Sequence, residues 1–335
     1  MRAMLLGAGL GTRLRPITYD LPKPMVPVLG EPVMTHSLRL LAQHGFDRVV
    51  CNLHYFPDMI RDRFGDGSRF GVDLTYSYEP ELLGTAGGVR NVRDFFGGET
   101  FLIISGDALT DIDLTRLWNR HREAGGIGTL ALKQVSDPTQ LGIVITADGG
   151  RIEGFQEKPD PAEALSNLGN CGIYVFEPEI FDHFPERDFV DWAKDVFPVL
   201  LAQDVPLYGH ETDDYWNDVG SLQEFLQGNF DALEGKVRIV VEGTDLDGGL
   251  RVAESSVLDG QVMMEPPVYV GENCRIGAEA QLTGPLVIGH GCTIGARAAL
   301  RDAVIWPGTE LAPSTVLAGG VAGLRPLAER LESRG

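Results

Sequence analysis

The segment Leu6 to Val28, LGAGLGTRLRPITYDLPKPMVPV, brings glycines, two arginines and a proline-framed lysine into one N-terminal loop. That combination suits a triphosphate. Met4 to Leu6 read as the end of a short apolar strand. Gly7, Gly9 and Gly11 then remove the side chains that would hold backbone N–H groups away from an anion. Arg13 and Arg15 supply countercharge.

Two familiar phosphate loops fail on their own requirements. A dinucleotide fingerprint needs glycine where Thr12 stands and a helix opening straight after it, yet Pro16 makes Arg15 a poor helical residue. A Walker loop closes on Gly-Lys-Ser/Thr, which does not follow here. With both removed, the glycines, the arginines and Pro22-Lys23-Pro24 resemble the signature of the sugar-1-phosphate nucleotidylyltransferases, the nucleotide-sugar pyrophosphorylases. Further motifs of that family follow in family order. They are Leu83-Gly84-Thr85-Ala86-Gly87-Gly88 after Glu79-Pro80, Gly106-Asp107, Leu141-Gly142-Ile143-Val144, Glu157-Lys158-Pro159, Asn170-Cys171-Gly172-Ile173-Tyr174 and Trp216-Asn217-Asp218-Val219-Gly220.

The resemblance implies a division of labour. Leu6, Gly7, Ala8, Gly9, Gly11, Thr12, Gly84 and Thr85 would bind the nucleotide, largely through backbone groups. Arg13, Lys23 and Lys158 would be the catalytic cations, with Lys158 on the sugar phosphate. Gly142, Glu157 and Asn170 would complete the sugar-phosphate pocket. Asp107 and Asp218 would hold Mg2+, an ion that commonly takes one or two carboxylates plus substrate phosphates and water. Asp111 and Asp113 compete for that role, but Asp111 reads as a turn residue and Asp113 as the cap of a helix from Leu114. Without the analogy, Glu157 and Lys158 would be an ordinary solvated ion pair.

Nucleotidyl transfer to a sugar-1-phosphate needs no general base, because the attacking phosphate has a second pKa of about 6. Catalysis would rest on charge neutralisation and in-line positioning. Lys23, Lys133, Lys158, Lys194 and Lys236 are the whole lysine set, and two of them stand in Pro-Lys-Pro and Glu-Lys-Pro. A chain that otherwise uses arginine places lysine where a compact point charge is wanted.

The elements that must position these residues follow from periodicity. Residues 1 to about 232 alternate strand-like and helix-like segments, which argues for α/β layers. Arg48 to Leu53, Leu74 to Tyr78, Thr100 to Ser105, Thr129 to Lys133 and Gly172 to Phe176 read as strands. Pro32 to His44, Phe56 to Phe64, Leu114 to Glu123 and Ser221 to Leu233 have helical spacing. Asp107 follows the apolar run FLIIS, at the carboxyl end of a strand, where open α/β sheets bind ligands.

The pattern changes near Glu234. Apolar residues then recur every sixth position, at Val252, Leu258, Met264, Val270, Ile276, Leu282, Ile288, Ile294 and Leu300, and glycine follows several of them. This is the mark of a hexapeptide-repeat β-helix, here of about three coils. The expected architecture is a Rossmann-like nucleotidyltransferase domain with a mixed, mostly parallel sheet over 1–233, a linker over 234–250, a left-handed β-helix over 251–320 and a tail over 321–335.

The remaining composition sets limits. With 43% hydrophobic and 23% charged residues the 335-residue chain is an ordinary globular sequence, and its net charge of −20 argues against nucleic-acid or anionic-membrane partners. Cys51, Cys171, Cys274 and Cys292 show no metal or disulfide spacing and fit a cytoplasmic protein. The GTAGG loop, Pro267-Val268-Tyr269-Val270-Gly271 and Gly284-Pro285-Leu286-Val287-Ile288-Gly289 are most similar to bacterial mannose-1-phosphate guanylyltransferases, so GTP and mannose-1-phosphate are the expected substrates. Ser105-Gly106 departs from the eukaryotic pattern, which has a polar amide before the metal aspartate. The alternatives are glucose-1-phosphate with dTTP, UTP or ATP, a non-catalytic subunit that senses a nucleotide sugar, and an acyltransferase with His290 as base. Coverage of exposed coils and edges predicts a homo-oligomer built through the β-helix.

Overall fold

The computed structural model describes residues 1–324 apart from Glu242 and Asp247. Positions 325–335 of the expected tail lie outside the described residues. The chain forms two compact units, one of Met1–Leu10 with Ser37–Asp218, the other of Gly11–His36 with the chain from Val219 on.

The first unit is built on a nine-stranded sheet. From one edge its order is Ile152–Glu157, Gly142–Thr146, Leu168–Phe176, Phe101–Ser105, Arg2–Leu6, Arg48–Leu53 and Asp73–Tyr78. Gly128–Gln134 also pairs with Leu168–Phe176, and Leu207–Glu211 pairs with Gly128–Gln134. Only Ile152–Glu157 and Leu168–Phe176 run against the rest, so the sheet is mixed and mostly parallel, as expected. The central strands are continuous apolar runs covered on both faces: Ala3, Met4, Leu5 and Phe101 to Ile104 are fully buried.

The helices appear at Val33–Gln43, Pro57–Phe64, Leu114–Ala124 and Leu222–Leu233, close to their expected bounds. Asp113 caps its helix, accepting from the Arg116 N–H at 2.9 Å. The hairpin Gly142–Thr146 with Ile152–Glu157, the strand Leu207–Glu211 and the helix Gly84–Asn91 escape the periodicity reading. Their sequences are short, glycine-interrupted or half polar, and tertiary packing decides their form.

The second unit carries the repeats as parallel ladders, a β-helix. Val252, Val270 and Ile288 stack in one row, Leu258, Ile276 and Ile294 in a second, and Met264, Leu282 and Leu300 in a third. These side chains form one apolar core. A fourth layer, Ile305, Leu311 and Leu317, continues the rows one residue out of hexad register. Asp302 alone stands opposite Gly284-Pro285, between the pairs Thr283 with Arg301 and Leu286 with Ala303. The glycines that follow Val270, Ile276, Ile288 and Ile294 have a steric cause. A Cβ on Gly277 would lie 2.5 Å from the Ala296 nitrogen, and one on Gly295 would lie 2.3 Å from the Pro313 nitrogen.

Compactness divides the chain at Asp218 and again at Leu10 and His36. The helix Leu222–Leu233 buries Phe225, Asn229 and Ala232, and the Phe225 ring sits 6.1 Å from Trp306 of the repeats. Part of the expected linker is itself sheet, since Thr244–Asp245 pairs with Leu250–Val252.

Candidate active site

In the first unit Leu6 and Asp107 stand at the carboxyl ends of neighbouring strands. Leu6, the last residue of its strand, pairs with Asn52 on one side and Ser105 on the other. The Gly106 N–H then donates to Leu6 O at 2.9 Å. A Cβ on Gly106 would lie 2.1 Å from Leu5 Cδ2, so only glycine lets the chain turn there toward Asp107. Gly9 is exposed and a Cβ on it would meet nothing within 4 Å. Packing therefore does not demand glycine at that position.

Asp107 and Asp218 are brought to one place by a short antiparallel ladder. Leu109–Thr110 pairs with Trp216–Asn217, Asn217 opposite Leu109, so both aspartates lie just beyond the same end of that ladder. The Trp216 indole N–H donates to Cys171 O at 2.9 Å and ties this ladder to the Asn170 segment. Asp111 is set apart from them: its carboxylate accepts from the Tyr215 N–H at 2.8 Å and is buried, which fits the turn role. Two carboxylates offer hard oxygen donors, suited to Mg2+ shared with substrate phosphates. Among the described residues no group of three or more His, Cys, Asp and Glu side chains is placed to hold a metal ion by protein alone.

The sugar-phosphate candidates meet on the opposite side of the sheet. Glu157 pairs with Gly142 across the hairpin, and a Cβ on Gly142 would come 3.1 Å from Glu157 Oε2. Lys158 follows with φ 47°, a costly conformation for a lysine, and its N–H donates to Leu141 O at 3.1 Å. Lys158 Nζ lies 3.8 Å from Glu157 Oε1 with both side chains about half exposed, a loose pair that contributes little and leaves the ammonium available. Asn170 donates to the Tyr174 hydroxyl at 2.9 Å and accepts from the Gly172 N–H at 3.0 Å. It thereby pins a bulge in which Gly172, at φ 68°, passes so near Ser105 that a Cβ would lie 2.7 Å from its hydroxyl. Burial pushes the Tyr174 hydroxyl pKa up, so that group stays neutral.

Gly84 and Thr85 open a helix on the far strand edge. Gly84 has φ 81°, and a Cβ on it would strike Val190 O at 2.4 Å. The Thr85 hydroxyl donates to Asp191 at 2.8 Å and accepts from the Trp192 N–H at 3.1 Å, so its side chain anchors the helix start. One residue outside the expected set matters here. Glu79, 1% exposed, accepts from Asn52 Nδ2 at 2.8 Å and from the Leu83 N–H at 3.1 Å, while Asn52 Oδ1 accepts from the Gly7 N–H at 2.9 Å. This relay joins the glycine loop to the Gly84 loop. The only signal for it in the sequence was a polar asparagine inside an otherwise apolar strand.

Gly11, Thr12, Arg13 and Lys23 belong to the second unit. Gly11 takes the left-handed conformation at φ 60°, and the Thr18 hydroxyl donates to its carbonyl at 2.7 Å. A Cβ on Gly11 would lie 2.9 Å from Thr18 Cγ2 and 3.1 Å from Lys23 Cβ, so the lysine stem packs directly beneath this turn. Lys23 is 7% exposed, whereas Thr12 and Arg13 are exposed. His290 is no free base. Its Nδ1 accepts from the Glu272 N–H at 2.8 Å and its Nε2 lies 2.9 Å from Gly30 O, so both ring nitrogens are engaged and the acyltransferase reading loses its residue.

Comparison with known proteins identifies the family. A nucleotidyl transferase family model matches residues 2–235, and a bacterial transferase hexapeptide model of six repeats matches residues 267–302. A UTP–glucose-1-phosphate uridylyltransferase of Synechocystis is 40% identical over 291 residues, covering 82% of this chain and 75% of the relative. A mannose-1-phosphate guanylyltransferase of Mycobacterium tuberculosis is 38% identical over 236 residues, covering 70% and 65% respectively. Among solved structures, a UDP-glucose pyrophosphorylase from Acinetobacter baumanii superposes with a TM-score of 0.60 at 22% identity, covering 70% of this chain and 93% of that one. With its glycine loop, its paired aspartates and its hexapeptide coils, the chain belongs to the nucleotidyl transferase family and is a nucleotidyltransferase.

Proposed function

We propose that the enzyme transfers a nucleotidyl group from GTP to mannose-1-phosphate, giving GDP-mannose and pyrophosphate. The observation that carries the reaction class is the order of sites across one sheet. The Gly84 loop follows the edge strand Asp73–Tyr78, the Gly7 loop and Asp107 follow central strands, and Gly142, Glu157, Lys158 and Asn170 lie at the other side. That is the order of base, phosphates and sugar along a nucleotide sugar.

In this reading a phosphate oxygen of the sugar-1-phosphate attacks the α-phosphorus, and the bond to the departing pyrophosphate breaks. Lys158 holds the incoming phosphate, while Arg13 and Lys23 neutralise the triphosphate. Backbone N–H groups of Leu6, Gly7, Ala8, Gly9, Gly11 and Thr12 cradle it. Gly142, Glu157 and Asn170 orient the sugar, and Gly84 and Thr85 set the floor for the base. Asp107 and Asp218 would hold Mg2+, which when bound offsets phosphate charge. Self-association through the repeats belongs to the same proposal, and the mass of the enzyme in solution tests it.

The substrate pair rests on the motif likeness and on the 38% identical guanylyltransferase. A second pair, UTP with glucose-1-phosphate, is favoured by the 40% identical uridylyltransferase. Pyrophosphate release measured for each nucleoside triphosphate with each sugar-1-phosphate separates them. The guanylyl reading expects GTP with mannose-1-phosphate to be the fastest pair, and a faster UTP and glucose-1-phosphate pair would replace it.

A further inference from the structure

The segment that carries Arg13 and Lys23 continues into a two-strand hairpin, Pro27–Val28 with Glu31–Pro32. The Lys23–Met25 turn leads straight into it, and the Val33 N–H closes it on Val26 O at 2.9 Å. Both turn residues have positive φ, Leu29 at 46° and Gly30 at 82°. Two such residues suit a tight hairpin, but leucine takes this conformation only where its surroundings hold it.

Two side chains from the other end of the chain hold it. Asn229, 1% exposed on the helix Leu222–Leu233, accepts from the Leu29 N–H at 3.0 Å and donates to Phe225 O at 3.0 Å and Pro27 O at 3.4 Å. His290, between Gly289 and Gly291 on a repeat coil, reaches Gly30 O with Nε2 while the Glu272 N–H fixes Nδ1 as an acceptor. The Nε2 is therefore the donor to Gly30. A Cβ on Gly30 would lie 2.4 Å from His290 Nε2 and 2.7 Å from the Tyr269 hydroxyl, so glycine is required for this approach. All these residues lie in one compact unit.

We propose that Asn229 and His290 are positioning residues for the triphosphate, holding the Leu29–Gly30 turn on the β-helix and thereby setting the Arg13 and Lys23 segment. The repeats thus act on nucleotide use, in addition to any role in subunit contact. The inference rests on the roles given above to Arg13 and Lys23. The sugar-phosphate residues Gly142, Glu157, Lys158 and Asn170 belong to the other unit.

The test uses the full chain with His290→Ala, Asn229→Ala and the conservative His290→Gln, which keeps a donor for Gly30. Steady-state kinetics with the best substrate pair should show KM for the nucleoside triphosphate rising about five- to tenfold in the two alanine variants, the scale of one lost hydrogen bond. KM for the sugar-1-phosphate should stay within about twofold, and His290→Gln should recover most of the loss. Equal rises in both KM values, or none in either, overturn the proposal. Hydrogen exchange on the unmodified enzyme decides the matter if a variant does not fold. Amides of the Pro27–Pro32 hairpin should exchange as slowly as Val268–Val270 and Gln281–Ile288, and exchange at the rate of an open loop overturns the brace. That measurement needs no turnover, so failure of the proposed reaction would leave it readable.

Discussion

The carboxamide of Asn52 donates to the buried carboxylate of Glu79 at 2.8 Å, and its oxygen receives the Gly7 N–H. A side chain that serves both a loop amide and a buried acid cannot be removed without costing each of them a hydrogen bond, even though Glu79 keeps the Leu83 N–H. Asn52→Leu should cost about 2–3 kcal/mol of stability, the scale of orphaned buried polar groups, read as a lower denaturant midpoint. An unchanged midpoint would show that the relay carries no weight.

Gly9 and Gly277 make an opposed pair. The first has open space where a Cβ would go, and the second has the next coil's backbone 2.5 Å away. Gly9→Ala should leave the melting temperature within about 1–2 °C and raise KM for the nucleoside triphosphate, whereas Gly277→Ala should lower the melting temperature with little effect on KM. Thermal melts and initial rates on both variants check this together.

Lys158→Ala should raise KM for the sugar-1-phosphate at least tenfold, about 1.4 kcal/mol or more, with KM for the triphosphate little changed. Asp107→Ala should instead lower kcat by two orders of magnitude or more, and chelation of divalent ions should do the same to the unmodified enzyme. Full rates in the presence of a chelator would remove Mg2+ from the proposal.

Burial holds the His121 imidazole below its ordinary 6.5, outweighing Glu177, which raises it. Its ring nitrogens lie 3.0 Å from Thr129 Oγ1 and Glu177 Oε1. The unfolded chain takes up this proton near pH 6.5 and the folded one only at lower pH. The stabilising contribution is therefore present above that pH and is lost as pH falls through 6.5 toward the depressed value. Between pH 7.5 and 5.5, His121→Gln should lose less melting temperature than the parent enzyme, and equal losses would assign the acid sensitivity elsewhere.

Much of this architecture was readable because its causes are local. Strands such as FLIIS are buried on both faces and show as apolar runs, and Val270, Ile276, Ile288 and Ile294 of the repeats are each followed by a glycine that the next coil requires. Asp107 could be placed at a strand end from the same run. What escaped depended on partners distant in sequence. Asp302 standing for two residues hid the fourth layer of coils, since it shifts Ile305, Leu311 and Leu317 out of phase. Nothing local announces that Glu79 would turn inward to Asn52, or that Thr85 would spend its hydroxyl on Asp191.

The compact unit that joins Gly11–His36 to the chain from Val219 on bears on how the protein can be cut. A fragment ended at Leu233, where the hexads have not yet begun, would keep Asn229 but lose His290, and with it the donor to Gly30. Cloning the nucleotidyl portion as a stand-alone piece would therefore strip the His290 contact from the Leu29–Gly30 turn.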